Sequence, residues 1–277
     1  MSIAAKKKIG IIILTVVLII VGIAFIYPFL FMLSSSFKPS VEVTRPPFSL
    51  IPETFTFDNY VNLGKVQYFG TWYLNTIVMC ILTLVLKTFI TTLTAFAFAK
   101  INFKGRDAIF LVLMSALMIP ADIMLIPRYF VFSAIGILDT MFSIVLPYGF
   151  DIYFVFLLRQ NFVTIPDAIV EAAEIDGCSY FKIYYSIVVP LAKPAIVTML
   201  LFTFVWARND YMSAYIFISS DARQMISVGL ERLSLGMVTD NGLNMAGATV
   251  TVLPIIVVFL FSQKYFIEGI TTSGVKG

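Results

Sequence analysis

The stretch IGIIILTVVLIIVGIAFIYPFLFMLSSSF, Ile9 to Phe37, carries no charged residue. A helix rises about 1.5 Å per residue, so about 20 residues cross about 30 Å of hydrocarbon. The run is therefore long enough to span a bilayer, and Lys6, Lys7 and Lys8 stand just before it. A secretory leader has a shorter apolar core and a small-residue cleavage site. The run reads as a retained first membrane helix.

Working outward, the same length test predicts six spans: 9–33, 72–98, 108–127, 141–158, 195–218 and 245–267. Each must be helical, because an open strand leaves backbone groups unpaired in lipid. Composition agrees: 60% of the 277 residues are hydrophobic and 13% charged, against about half and a quarter in soluble domains. The expectation is an all-α polytopic membrane protein with six transmembrane helices, forming one transmembrane domain over 1–277. Lys and Arg favour the cytoplasmic side in short flanking segments. With the N-terminus inside, that side holds Lys6, Lys7, Lys8, Lys100, Lys104, Arg106, Arg159, Lys182, Lys193, Lys264 and Lys276. The other side holds Lys38, Arg45, Lys65, Arg128, Arg223 and Arg232, mostly in longer loops. Both termini are thus predicted to be cytoplasmic, with external loops at 34–71 and 219–244. Pro39, Pro46, Pro47 and Pro52 break helices in the first loop, and its Phe and Tyr suggest packing on the membrane surface.

Several functions are argued against. The net charge of +3 is scattered, which gives nucleic acid no basic patch. Histidine is absent, removing the commonest general base and metal ligand. Cys80 and Cys178 are far apart and form no metal-ligand pattern. A phosphate cradle needs G-x-x-x-x-G-K-[ST], whereas the only Gly-Lys pair, Gly64-Lys65, precedes Val66. A transporter acting alone would need a coupling carboxylate deep in a span. Asp151 could serve, but no internal repeat is visible.

The most informative segment lies between the fourth and fifth spans, RQNFVTIPDAIVEAAEIDGCSYFKIYYSIVVPLAKP, Arg159 to Pro194. It is far longer than a turn requires. Thr164 can cap a short helix, Pro166 fits its first turn, and Asp167 favours its positive end. Gly177 can close it in a left-handed conformation. Asp167, Glu171 and Glu174 recur at i, i+4 and i+7 and share a face. Ala168 and Ala172 allow close approach by another surface. A second helix is predicted from Ser179 to about Val189, ended by Pro190.

Glu171-Ala172-Ala173, with Gly177, Ile187 and Pro190 at their spacing, resembles the EAA motif of binding-protein-dependent ATP-binding-cassette importers. Val189 and Cys178 are mild departures, standing where leucine and alanine are usual. The resemblance extends along the chain to the MalG-like sugar permeases. It includes Ala99-Lys100 with Phe103, Gly105 and Arg106; Met118-Ile119-Pro120 with Ile126-Pro127, Gly136 and Thr140; Leu146-Pro147; and the tail Gly274-Val275-Lys276-Gly277. It implies a type I importer permease in a bacterial inner membrane, carrying a sugar. It implies four kinds of partner: a homologous second permease, an ATP-binding-cassette ATPase dimer, an extracytoplasmic solute-binding protein and membrane lipid. The binding protein would meet the first and last external loops. ATP and Mg would be held by the ATPase, with no cofactor on this chain. Coupling would fall to Glu171, Ala172, Ala173, Asp176, Gly177 and Pro190, with Val275, Lys276 and Gly277 also touching the ATPase.

Polar groups inside spans usually face a cavity or another helix. Here these are Asn75, Lys87, Asp151, Arg208, Asn209 and Asp210. Lys87 reads as a packing contact, with snorkelling or a partner subunit as alternatives. Trp206, Arg208, Asn209, Asp210 and Tyr211 combine aromatic faces with planar polar groups, which suits a sugar path. The run resembles the family's Trp-Asn-acid-aromatic segment, with Arg208 where Trp is frequent. Two readings of Arg208 stand. It pairs structurally with neighbours or the second permease, or it meets an anionic group such as a uronate.

Overall fold

The computed structural model describes residues 3–234 and 240–274, with side chains for 8–234 and 240–264. All regular structure among them is helical. The chain divides into two compact units, Met1–Phe69 with Leu230–Leu253, and Gly70–Gly229 with Pro254–Gly277.

In the first unit, α1 (Ile3–Ser35) is apolar on every side beyond Lys8, and its most apolar window has nothing buried within the chain. Such a helix needs lipid or another protein around it. The segment after it is more than a proline-broken surface loop. Two short helices, Ser40–Thr44 and Asp58–Leu63, fold around Phe37, whose ring stacks on Phe55 at 5.0 Å. Lys38 is only 1% exposed: its ammonium donates to the Ser49 carbonyl and lies 5.4 Å from the Phe31 ring. Asn59 donates to the Ser36 and Lys38 carbonyls, both at 2.8 Å.

The second unit is built on α2 (Phe69–Lys100), which is uninterrupted. The predicted third span is broken. α3 (Arg106–Ser115) runs through a 3-10 turn to Met118, and the chain resumes at Ala121 into α4 (Leu125–Ala134), bent by 92°. Pro120 explains this, since the residue before a proline is pushed out of the helical region and Ile119 is extended at φ −90°, ψ 116°. The fourth span also has two pieces, α5 (Phe142–Gly149) and α6 (Ile152–Val163), separated by extended Phe150 and Asp151. The fifth has α9 (Lys193–Asn209) and α10 (Tyr211–Phe217), separated at Asp210. Before it come α7 (Asp167–Ile175) and α8 (Tyr180–Leu191), the latter π-helical over Tyr184–Val188. α11 (Ile226–Ser234) and α12 (Asn241–Gly274) follow, the second unit taking α11 up to Gly229 and α12 from Pro254, and the first unit the remainder.

Two apolar clusters hold this unit. One joins Phe96 of α2 and Phe162 of α6 to Val170 and Ala173 of α7 and Val188 of α8. The other joins Met79 of α2, Ile144 of α5, Phe204 of α9 and Met225. The stretch after α10 is more than an external loop, for Gln224 to Ile226 are buried. Trp72 Nε1 donates to the Asp221 carbonyl at 2.6 Å, and Asn75 donates to the carbonyls of Ala222 and Gln224. A Cβ on Gly229 would lie 2.2 Å from the Trp72 ring, so only glycine admits this packing. Asp139, at φ 57°, ties the turn after α4 to the same stretch: it accepts from the Ser219 and Ser220 amides, the Ser220 hydroxyl and Arg223. Burial pushes its carboxyl up, but these donors outweigh that and hold it below the usual range.

Candidate functional site

The three breaks surround one cavity of about 690 Å³. Ile119, Pro120, Asp122 and Arg128 line it from the α3–α4 break, Tyr148, Phe150 and Asp151 from the α5–α6 break, and Trp206, Asp210 and Met212 from the α9–α10 break. Broken helices are tolerated at membrane depth where they line a cavity or are buried in protein.

Each of two breaks is closed by an aspartate with the same division of labour. Asp151 Oδ1 accepts from the Tyr153 amide at 3.0 Å, capping α6, and Oδ2 receives the Lys87 ammonium at 2.8 Å. Asp210 Oδ1 accepts from the Ser213 amide at 3.0 Å, capping α10, and Oδ2 receives the Tyr148 hydroxyl at 3.1 Å. A side-chain cap satisfies amides that a helix start leaves open, and a carboxylate suits the positive end of the dipole. Lys87 thus faces neither headgroups nor a partner subunit. Its side chain is 0% exposed, and its ammonium also lies 4.4 Å from the Phe154 ring.

The residues singled out in span five are only partly brought together. Trp206 and Asp210 line the cavity. Arg208, Asn209 and Tyr211 do not: Arg208 donates to Asn209 Oδ1 at 2.7 Å, and Tyr211 stacks on Tyr215. Sequence reasoning missed Asp122 and Arg128, the latter counted only as an external loop charge. The available signal was Pro120, which turns the following residues away from a straight span.

The acidic segment lies elsewhere in the unit. Asp167, Glu171 and Glu174 are exposed on α7, while Val170 and Ala173 are buried. Ala173 therefore seats the helix on the protein's own core, and Ala172 faces out beside Ile175, which is 87% exposed. Asp176 is exposed, and Gly177 adopts φ +75°. Thr164 does not cap α7: its hydroxyl donates back to the Asn161 carbonyl, and Pro166 holds the cap position. Ser179 caps α8, which ends at Leu191, one residue past Pro190. The Glu174 carboxylate hydrogen-bonds Tyr180 and holds its phenol above the usual range. Val275, Lys276 and Gly277 lie outside the described residues.

Residues 91–272 match the family described as binding-protein-dependent transport system inner membrane component. The chain belongs to this family. It is accordingly an inner-membrane transport component rather than an enzyme, and the permease is similar to curated relatives over nearly its whole length. The probable ABC transporter permease protein YurM of Bacillus subtilis (strain 168) is 33% identical, over 92% of this chain and 85% of that protein. The arabinooligosaccharides transport system permease protein AraQ of the same organism is 31% identical, over 95% of each. The permease also shares its fold with a chain of a bacterial ABC transporter involved in the import of the acidic polysaccharide alginate. That likeness has a TM-score of 0.86 at 24% identity, covering 94% of this chain and 98% of that one.

Proposed function

We propose that this permease carries an oligosaccharide inward across the membrane as one half of the channel of an ATP-driven importer. A homologous second permease supplies the other half, an ATPase dimer consumes Mg-ATP on the cytoplasmic side, and an extracytoplasmic binding protein delivers the solute. Both termini are cytoplasmic in this reading, and 275–277 touch the ATPase. The observation that carries it is α7, a short helix held by two small apolar side chains and presenting three carboxylates outward, in a chain of this family. The acidic face enters a cleft of the ATPase, with Glu171 meeting a basic group. Gly177 gives the turn into α8. The sugar class is supported by the similarity to AraQ and by the cavity, where Trp206 offers an aromatic face among hydrogen-bonding groups. ATP binding draws the ATPase halves together, α7 is displaced, and the cavity changes the side to which it opens.

The test is purification through a tag on this chain from its own host, with co-eluting proteins identified by mass spectrometry. A second permease and an ATPase should co-elute, and the ATPase should be lost from Glu171→Lys and Gly177→Val. A chain that elutes alone, or an ATPase indifferent to both replacements, refutes the coupling role.

A further inference from the structure

α7 has little of its own to hold it. Its buried residues are Val170 and Ala173, and a helix seated on two small side chains can slide and rotate. The structure adds a polar attachment. Lys100 is the last residue of α2, and its side chain is 1% exposed. Its ammonium lies 2.5 Å from Asp167 Oδ1, in the first turn of α7, and 2.6 Å from the Ile165 carbonyl just before it. Both charges sit where helix dipoles favour them, the cation at the C-terminal end of α2 and the carboxylate at the N-terminal end of α7. Asp167 is 77% exposed, so water would serve its carboxylate nearly as well; it is the ammonium, 1% exposed, that needs the pair, since without it a buried charge is left uncompensated. Geometry adds a second consequence. Two bonds from one buried ammonium, to a backbone oxygen and to a side chain, fix both the position and the rotation of the helix start. Beside it, Arg159 of α6 donates to the Phe98 carbonyl at 3.2 Å, meets Asp107 at 3.8 Å and lies 4.4 Å from the Phe110 ring. The same end of α2 is thereby tied to α6 and α3.

We infer that Lys100 is a positioning residue that clamps α7 to the end of α2, so that displacement of α7 is passed to the long helix and on to the cavity. The inference rests on the importer reading of this permease. Without the clamp, α7 still docks on its ATPase but moves without carrying α2.

The experiment uses the whole complex in proteoliposomes. Cys178→Ala removes the half-buried thiol and leaves Cys80, which is buried. Met124→Cys places a reporter in the cavity wall. Its labelling by a membrane-impermeant maleimide is measured without nucleotide and with Mg-ATP plus vanadate, alongside ATP hydrolysis. With Lys100 intact, the labelling rate should change by at least about fivefold, the low end of allosteric coupling. In Lys100→Met the response should fall below about twofold while hydrolysis stays within about twofold, because coupling and turnover are separate quantities. Lys100→Arg should restore it. A Lys100→Met complex that responds normally, or whose hydrolysis falls in step with the response, overturns the clamp alone. An unresponsive parent complex overturns the importer reading and the clamp with it. If Lys100→Met does not assemble, Lys100→Gln decides: a reduced response with hydrolysis within about twofold upholds the clamp, and a normal response, or a hydrolysis that falls in step with it, overturns it.

Discussion

Asp151→Asn tests the account of the broken fourth span. The substitution keeps the cap, since asparagine is as good at that position as aspartate, but strips Lys87 of its counter-charge. Lys87 is 0% exposed and Asp151 26%, so the orphaned ammonium has the Phe154 ring and an amide oxygen for company and no route to water. Breaking a buried pair from one side costs about 3–5 kcal/mol. At about 2–4 °C per kcal/mol for a chain of this size, the purified complex should melt on the order of 6–20 °C lower. Lys87→Met is milder, about 1–3 kcal/mol, because the carboxylate left behind retains its bond to the Tyr153 amide and the cavity. The double variant Lys87→Met/Asp151→Asn leaves no charge unpaired and should be more stable than Asp151→Asn alone. The assay is thermal unfolding of the three variants and wild type in one detergent, read as a double-mutant cycle. Additive losses, or an Asp151→Asn complex that melts with wild type, would refute the pairing as the reason for the aspartate.

Gly229→Ala forces a methyl group to within 2.2 Å of the Trp72 ring; it should destabilise by about 1–3 kcal/mol and speed proteolysis after Arg223. Asp139→Asn keeps an oxygen for the Ser219 and Ser220 amides, which share Oδ1, but loses Oδ2, the acceptor for Arg223 and the Ser220 hydroxyl, a loss of about 1–3 kcal/mol. Because the folded carboxyl lies below its ordinary value, the wild-type clamp is at full strength above the unfolded pKa of about 3.9 and fades as pH falls through the lower folded value. Proteolysis of the 219–224 stretch should rise in that acidic window in wild type and be flat there in Asp139→Asn. Gly177→Ala must hold φ +75° with a Cβ, at about 1–2 kcal/mol, and should lower ATPase recovery less than Gly177→Val.

The existence and rough length of the helices were legible because bilayer thickness sets them, and an uncharged run can hardly be anything else. Continuity was not. Pro120 stood inside a span read as straight, Asp151 read as a polar group that could serve as a coupling carboxylate, and Asp210 read as part of a sugar path. Nothing in a linear pattern says that a lone aspartate ends one helix and caps the next. The partnership of Lys87 with Asp151 was within reach, since two isolated opposite charges in separate spans invite pairing. The role of Thr164 was misread because it was judged on local propensity. Thr164 spends its hydroxyl on the Asn161 carbonyl, a competition that Ser and Thr often lose to the preceding turn. The acidic face of α7 was legible from spacing alone, whereas the inward turn of Ala173 depends on a core assembled from α2, α6 and α8.

The two aspartates bear on how the cavity meets a solute. Both oxygens of Asp151 and both of Asp210 are engaged by a helix cap and a neighbouring side chain. These carboxylates are committed to holding the half-helices, and a solute that recruited either would have to loosen a break. Among the described residues, the lining charges without such a commitment are Asp122 and Arg128. If span five alone recognised the solute, as its sequence invited, Arg208 would be the residue to replace. With Arg208 bonded to Asn209 outside the cavity lining, Arg128→Gln becomes the sharper probe. It should alter uptake with the carbohydrate's charge, whereas Arg208→Gln should depress uptake of acidic and neutral saccharides alike. A charge-dependent effect from Arg208 and none from Arg128 would mean that the path runs along the other face of α9, and the three breaks would then hold the fold without lining the solute's route.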